Sequence, residues 1–137
     1  MSDTPKTGGC LCGAVTYTVN GPLRPVVACH CTQCRKTSGH HVAATAARRT
    51  DVAIAGAVTW YASSDRARRG FCGTCGSNLF WDSPDSDGLS IFAGTLDDTS
   101  DLRLAGHIFT AAKGAYYEIA DGTPQAAGHD ATLTTRI

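Results

Sequence analysis

The chain is 137 residues long and carries 12 Lys and Arg against 12 Asp and Glu, a formal net charge of zero. That length fits a single domain, and the balanced charge argues against a broad phosphate-binding surface, so no nucleic-acid partner is expected. No apolar run approaches the roughly 18 residues of a membrane span, and the opening MSDTPKTGG lacks a basic stretch followed by an apolar one. Neither a membrane partner nor a secretory signal is therefore expected, and the cytoplasm is the expected location.

Taken in chain order, residues 1–7 read as a flexible N-terminus. Residues 14–19 (AVTYTV) alternate and are rich in β-branched and aromatic side chains, which predicts a strand ended by Asn20-Gly21-Pro22. Residues 25–30 (PVVACH) form a short apolar run, 35–39 (RKTSG) a turn with room for one helical turn, and 41–47 an Ala-rich stretch compatible with strand or helix. Short strands are predicted at 57–62, 66–71, 77–81, 89–93, 106–110 and 116–119, with an acidic loop or brief capped helical turn at 97–101 and a turn at 121–124. The small and polar residues 126–137 read as a loosely ordered tail. With no sustained helical period and no internal repeat, the many short strands predict an all-β fold, a small single-domain folded sheet or sandwich over residues 8–125.

The hydrophobic fraction is 42%, but aromatics are 7% and Met occurs once, so the core is lean. Seven cysteines stand against it. An odd count is not a closed disulfide framework. They fall as C-x-C (Cys10, Cys12), C-x-C-x-x-C (Cys29, Cys31, Cys34) and C-x-x-C (Cys72, Cys75), spacings that suit metal ligation. A structural zinc contributes roughly 10–16 kcal/mol of apparent binding free energy to the folding of a small domain.

Cys72-Gly73-Thr74-Cys75-Gly76 has the form of a zinc knuckle, a tight turn that brings two sulfurs to one metal. Cys10 and Cys12, read as alternate residues of one strand face, are about 6.6 Å apart at the backbone, so both sulfurs can lean onto a metal. Joined, the two half-sites make a closed four-cysteine set, the mark of a structural site. Spacing alone permits other pairings; this one is adopted because it leaves the compact triplet intact.

That triplet, Cys29, Cys31 and Cys34, offers three thiolates and no fourth cysteine. Three protein ligands with an open position is the arrangement of a reactive zinc site. Three thiolates make the zinc a poor activator of water, and the open position better suits a soft ligand, a small thiol bound as thiolate. The alternative is that a histidine closes the site and both metals are structural. His30, between two ligands, should point to the opposite face; His40, His41 and His107 are the other candidates for a fourth ligand or for proton transfer. Two basic patches, Arg48 and Arg49, then Arg66, Arg68 and Arg69, are either solvated strand ends or anchors for a carboxylate-bearing ligand beside the metal. Trp60, Phe71, Phe80 and Trp81 read as core.

The segments GGCLCGAVTY, CHCTQCRKTSG and FCGTCGSNLFW, in this order, followed by FAGTLDDTSDLRLAGHIF and YYEIADGTPQ, resemble the glutathione-dependent formaldehyde-activating enzyme family, whose domain also occurs in centromere protein V-like proteins. The resemblance spans residues 8–125. It implies an Mss-four-like all-β fold with two Zn²⁺ per chain. Carried over, Cys10, Cys12, Cys72 and Cys75 hold the structural zinc and Cys29, Cys31 and Cys34 the catalytic one. It implies carbon–sulfur lyase chemistry, the condensation of glutathione with formaldehyde to S-hydroxymethylglutathione, with a small thiol such as glutathione as partner. The competing expectation is a non-enzymatic, zinc-stabilised binding or scaffold module, as the centromere protein V-like relatives suggest. Metal storage or redox sensing is a weaker third reading, because glycine-flanked knuckles imply fixed geometry. Oligomeric state is not legible.

Overall fold

Ten short strands and two α-helices are found along the chain in the computed structural model, which describes residues 4–135 and 137. In chain order they are Lys6–Gly9 (β1), Thr16–Val19 (β2), Val26–Cys29 (β3), Thr32–Ser38 (α1), Val42–Arg48 (β4), Val52–Ala55 (β5), Val58–Ala62 (β6), Arg68–Cys72 (β7), Asn78–Asp82 (β8), Gly88–Phe92 (β9), Leu104–Ile108 (β10) and Ala131–Thr134 (α2). Strands β1, β2 and β5 make a small antiparallel sheet with β2 at its centre. The other seven make one sheet in the order β10-β3-β4-β9-β8-β7-β6, antiparallel except for the parallel pair β10–β3. The fold is all-β, as expected.

Alternation along the strands gives the large sheet two unlike faces. Leu89 and Ile91 of β9, with Phe80 of β8, are buried in one cluster with Val15, Tyr17 and Val19, and Leu79, at the register shift between β7 and β8, joins the same cluster. Tyr17 meets Phe80 edge-on, with ring centroids 5.3 Å apart, and Phe80 also stacks on Trp60. The intervening residues Ser90 and Phe92 of β9, with Ala44 and Ala46 of β4 and Val27 and Cys29 of β3, face the other way and line a cavity of about 990 Å³. The small side chains of β4 keep that cavity open.

The ambiguous stretch 41–47 is strand, held between β3 and β9. Residues 116–119, expected as a strand, are not one: Tyr116 and Tyr117 turn their rings onto His40 instead of entering a ladder. Both ends are more ordered than their composition implies. Lys6 and Thr7 already lie in β1, whereas residues 1–3 of the expected flexible N-terminus lie outside the described residues. The segment after Gln125, expected as a loose tail, runs beside β10: Ala126 N donates to His107 O, Phe109 N donates to Gly128 O, and Leu133 is buried against Val27 and Ile108. Among the described residues, no helix is long and apolar enough to cross a membrane.

Candidate metal centres and the adjoining cavity

The seven cysteines are all free of disulfides, and their sulfurs form two groups. In the first, the Sγ atoms of Cys10, Cys12, Cys72 and Cys75 lie within 4.8 Å of one another; in the second, so do those of Cys29, Cys31 and Cys34. Cys12 Sγ is 3.7 Å from both Cys10 Sγ and Cys72 Sγ. A tetrahedral zinc with Zn–S near 2.3 Å sets its sulfurs about 3.8 Å apart, so the residues fit that ion. Both cysteine clusters could bind zinc.

Local backbone builds each group. Cys10 and Cys12 sit in a turn after β1 and not on the strand expected for them; Gly13, in the left-handed region at φ 82°, closes that turn. Cys72 ends β7, and the knuckle after it is closed by Gly76 N donating to Cys72 O at 2.8 Å, with Gly76 at φ 81°. Backbone amides also point at sulfur: Val15 N at Cys10 Sγ (3.2 Å) and Cys75 N at Cys72 Sγ (3.5 Å). In the second group Cys29 ends β3, Cys31 is the N-cap of α1 with its sulfur accepting from Cys34 N, and Cys34 lies buried within that helix. The expected turn at 35–39 is therefore most of a short helix, ended by Gly39 in the left-handed region at φ 82°.

Each group mixes a sulfur that favours thiolate with one that resists it: burial and the neighbouring Cys10, Cys75 and Cys72 sulfurs raise Cys12 to about 11. Cys75 is lowered to about 5, first by the hydrogen bond from the Ser77 hydroxyl. Cys34 is lowered to about 6, first by the hydrogen bond from the Cys29 thiol and then, against burial, by the Arg69 guanidinium; Cys29 is correspondingly raised. Amide and guanidinium donors stabilise the charged form.

All three sulfurs of the second group line the cavity. No His, Asp or Glu among the described residues joins them as a possible ligand. His30 does point to the opposite face. There it is fully buried and linked to His107 by a 2.9 Å hydrogen bond between Nε2 and Nδ1. His107 Nε2 in turn donates to Asp121 at 2.7 Å, and the Tyr117 hydroxyl lies 2.6 Å from His30 Nδ1. Burial first, then the neighbouring His41 and His107, lower His30 to about 4, so it is neutral. Neutral His30 donates through Nε2 to His107 and accepts the Tyr117 proton at Nδ1. Sequence reasoning missed Tyr117 and Asp121 in this chain of bonds, because aromatic pairs and Asp-Gly pairs read first as strand and turn.

The basic patches separate residue by residue. Arg49 and Arg68 share Asp82, and Arg66 pairs with Asp85. Arg48 is exposed at the cavity edge. Arg69 is buried, lines the cavity, and has its Nη2 3.7 Å from Cys34 Sγ.

An all-β domain with a four-cysteine group and a separate three-cysteine group opening on a cavity belongs to the class of zinc-competent small domains. The chain belongs to the glutathione-dependent formaldehyde-activating enzyme family, which matches it over residues 5–112. It is also similar to the crystal structure of a Rhodobacter sphaeroides protein solved as a structural-genomics target. That protein is 25% identical, with 72% of this chain and 98% of that one covered and a TM-score of 0.58.

Proposed function

We propose that this chain is a zinc-dependent enzyme of the carbon–sulfur lyase type that joins a small thiol to an aldehyde, with glutathione plus formaldehyde to S-hydroxymethylglutathione as the type reaction. The observation that carries the reading is that one sulfur group has three members and lines a cavity of about 990 Å³. In this reading Cys10, Cys12, Cys72 and Cys75 hold a structural zinc and Cys29, Cys31 and Cys34 hold a second, for two Zn²⁺ per chain. Zinc at the second group would supply the positive centre that keeps a substrate thiol deprotonated near neutral pH.

The chain's own residues supply the rest. The three cysteines fix one end of the cavity, and Ala44 and Ala46 leave room along its floor. Holding thiol and aldehyde together there accounts for most of the rate gain. The balance is simple: a sulfur–carbon bond forms, the carbonyl becomes a hydroxyl, and the thiol proton ends on oxygen, so no oxidant or reductant is required. Free cysteines suit a reducing compartment, and we place the reaction in the cytoplasm.

Cobalt substitution tests the reading. Two metals per chain are expected, and glutathione should change the cobalt spectrum as a further sulfur ligand joins. Cys31→Ser should remove one metal and leave the fold in place, whereas Cys72→Ser should unfold the chain. A spectrum indifferent to every small thiol overturns the proposal and leaves a zinc-stabilised binding module. Equal unfolding by both substitutions overturns the division into structural and reactive centres.

A further inference from the structure

Arg69 is a buried cation without a carboxylate. It is 6% exposed, and none of the ion pairs among the described residues includes it. Strand alternation is the cause. Arg68 and Arg69 are adjacent on β7, and Arg68 pairs across the sheet with Asp82, whereas Arg69 lies opposite Tyr61 and Trp81. Asp82, next to Trp81 on the neighbouring strand, is engaged by Arg49 and Arg68, and Asp85 is paired with Arg66.

Its donors are also underused. Nη2 reaches Gln33 Oε1 at 3.3 Å and Cys34 Sγ at 3.7 Å, and Gln33 is itself held by donating to Ser63 O. Nε and Nη1 are buried with no hydrogen-bond partner. Arg24, buried on the same cavity wall, is a contrast: its Nε, Nη1 and Nη2 donate to the carbonyls of Pro25, Thr134 and Ala44. A buried unpaired charge is costly unless an opposite charge answers it. Among the described residues, the group in contact with Arg69 that can carry negative charge is the sulfur of Cys34.

We infer that Arg69 is the charge-balancing, positioning residue of the three-cysteine centre, and that it is what lets this centre take an anionic fourth ligand. The inference rests on the zinc reading above. Three thiolates around a divalent ion carry a net negative charge, which repels a further thiolate. A guanidinium against Cys34 cancels that charge, so an incoming thiolate meets a neutral centre. Its hydrogen bond also fixes the Cys34 sulfur and draws electron density from it, as outer partners of metal ligands do.

The test compares Arg69→Met and Arg69→Lys with the unaltered protein, using chelator competition for the two metals and titration of the cobalt form with 2-mercaptoethanol and with imidazole. Arg69→Met should weaken metal at the three-cysteine centre about tenfold, the lower end for loss of such a partner, and leave the four-cysteine centre unchanged. It should weaken 2-mercaptoethanol by a similar factor and leave neutral imidazole unaffected, and Arg69→Lys should recover part of both losses. Equal metal affinities in all three proteins overturn the inference. So does parallel loss at both centres in both variants, which marks a purely structural residue, or a shift of thiol and imidazole by the same factor. If the unaltered protein takes no thiol, the proposed function fails, while the metal-affinity comparison still decides the role of Arg69.

Discussion

Two glycines show how single residues hold the cysteine turns in place, and why they differ in what a substitution costs. Gly76 closes the Cys72–Cys75 knuckle at φ 81°, and a Cβ added there meets nothing within 4 Å. Gly76→Ala therefore carries only backbone strain, about 1–2 kcal/mol for a left-handed L-residue, and Gly76→Asn less, because Asn tolerates that region. Gly8, two residues before Cys10, is different. Its Cβ would lie 2.4 Å from the Tyr17 ring and 2.6 Å from the Thr95 carbonyl, and the ring is held by a 2.7 Å hydrogen bond to the Thr95 hydroxyl. Overpacking of this kind costs roughly 1–3 kcal/mol. Denaturant midpoints of the zinc-loaded variants should rank Gly8→Ala below Gly76→Ala, and Gly76→Ala below Gly76→Asn. A Gly76→Ala variant as stable as the unaltered protein would mean that the knuckle does not depend on this left-handed residue.

Among the elements, the C-terminal segment does more than its composition suggests. It adds a parallel bridge, His107 with Gln125, to the free edge of β10 and seats Leu133 on Gly106, where an added Cβ would come within 2.9 Å of the Leu133 side chain. Thr134, Thr135 and Ile137 complete one wall of the cavity. Leu133→Ala removes a 4%-exposed side chain and should cost about 2–4 kcal/mol; thermal unfolding of the zinc-loaded protein measures it. A loss below about 0.5 kcal/mol, the scale of surface substitutions, would return the segment to the loose tail its polar residues imply. The sequence concealed this packing because one leucine among small polar residues has no periodicity to reveal it. It concealed β1 and β5 for a like reason: KTGG has no apolar alternation, and VAIA is a short apolar run that periodicity cannot assign. By contrast, although spacing alone left open the joining of Cys10 and Cys12 with Cys72 and Cys75, the three cysteine clusters were legible, since ligand spacing is itself a sequence property. Arg69 was not, because Arg68 and Arg69 have identical chemistry and only their position on the pleat separates an ion-paired surface cation from a buried one.

For the molecule as a whole, the two faces of the large sheet carry opposite electrostatic demands, and these set the direction of its pH dependence. The cavity face holds the sulfurs of Cys29, Cys31 and Cys34, which must shed protons to bind metal. The other face holds His30, which refuses a proton: burial first, then His41 and His107, lower it to about 4. A histidine free in the unfolded chain titrates near 6.5. Above that pH neither state binds the proton and the full stability is present. As pH falls from about 6.5 toward 4, the unfolded chain takes a proton that the folded one declines, so stability declines by up to about 1.4 kcal/mol per pH unit. Metal release adds protons at sulfur and acts in the same direction, so the histidine's share must be isolated by difference. His30→Asn breaks the buried bonds to His107 and Tyr117 and should be most destabilising near pH 8, by about 1–3 kcal/mol. Because the variant has no such proton to refuse, the gap between the two proteins should narrow as pH is lowered through 6.5 to 5. Denaturant unfolding of both proteins at a fixed excess of zinc, from pH 8 to pH 5, reads that gap. A gap constant across the range would show that His30 contributes hydrogen bonds alone and that acid sensitivity comes from other groups.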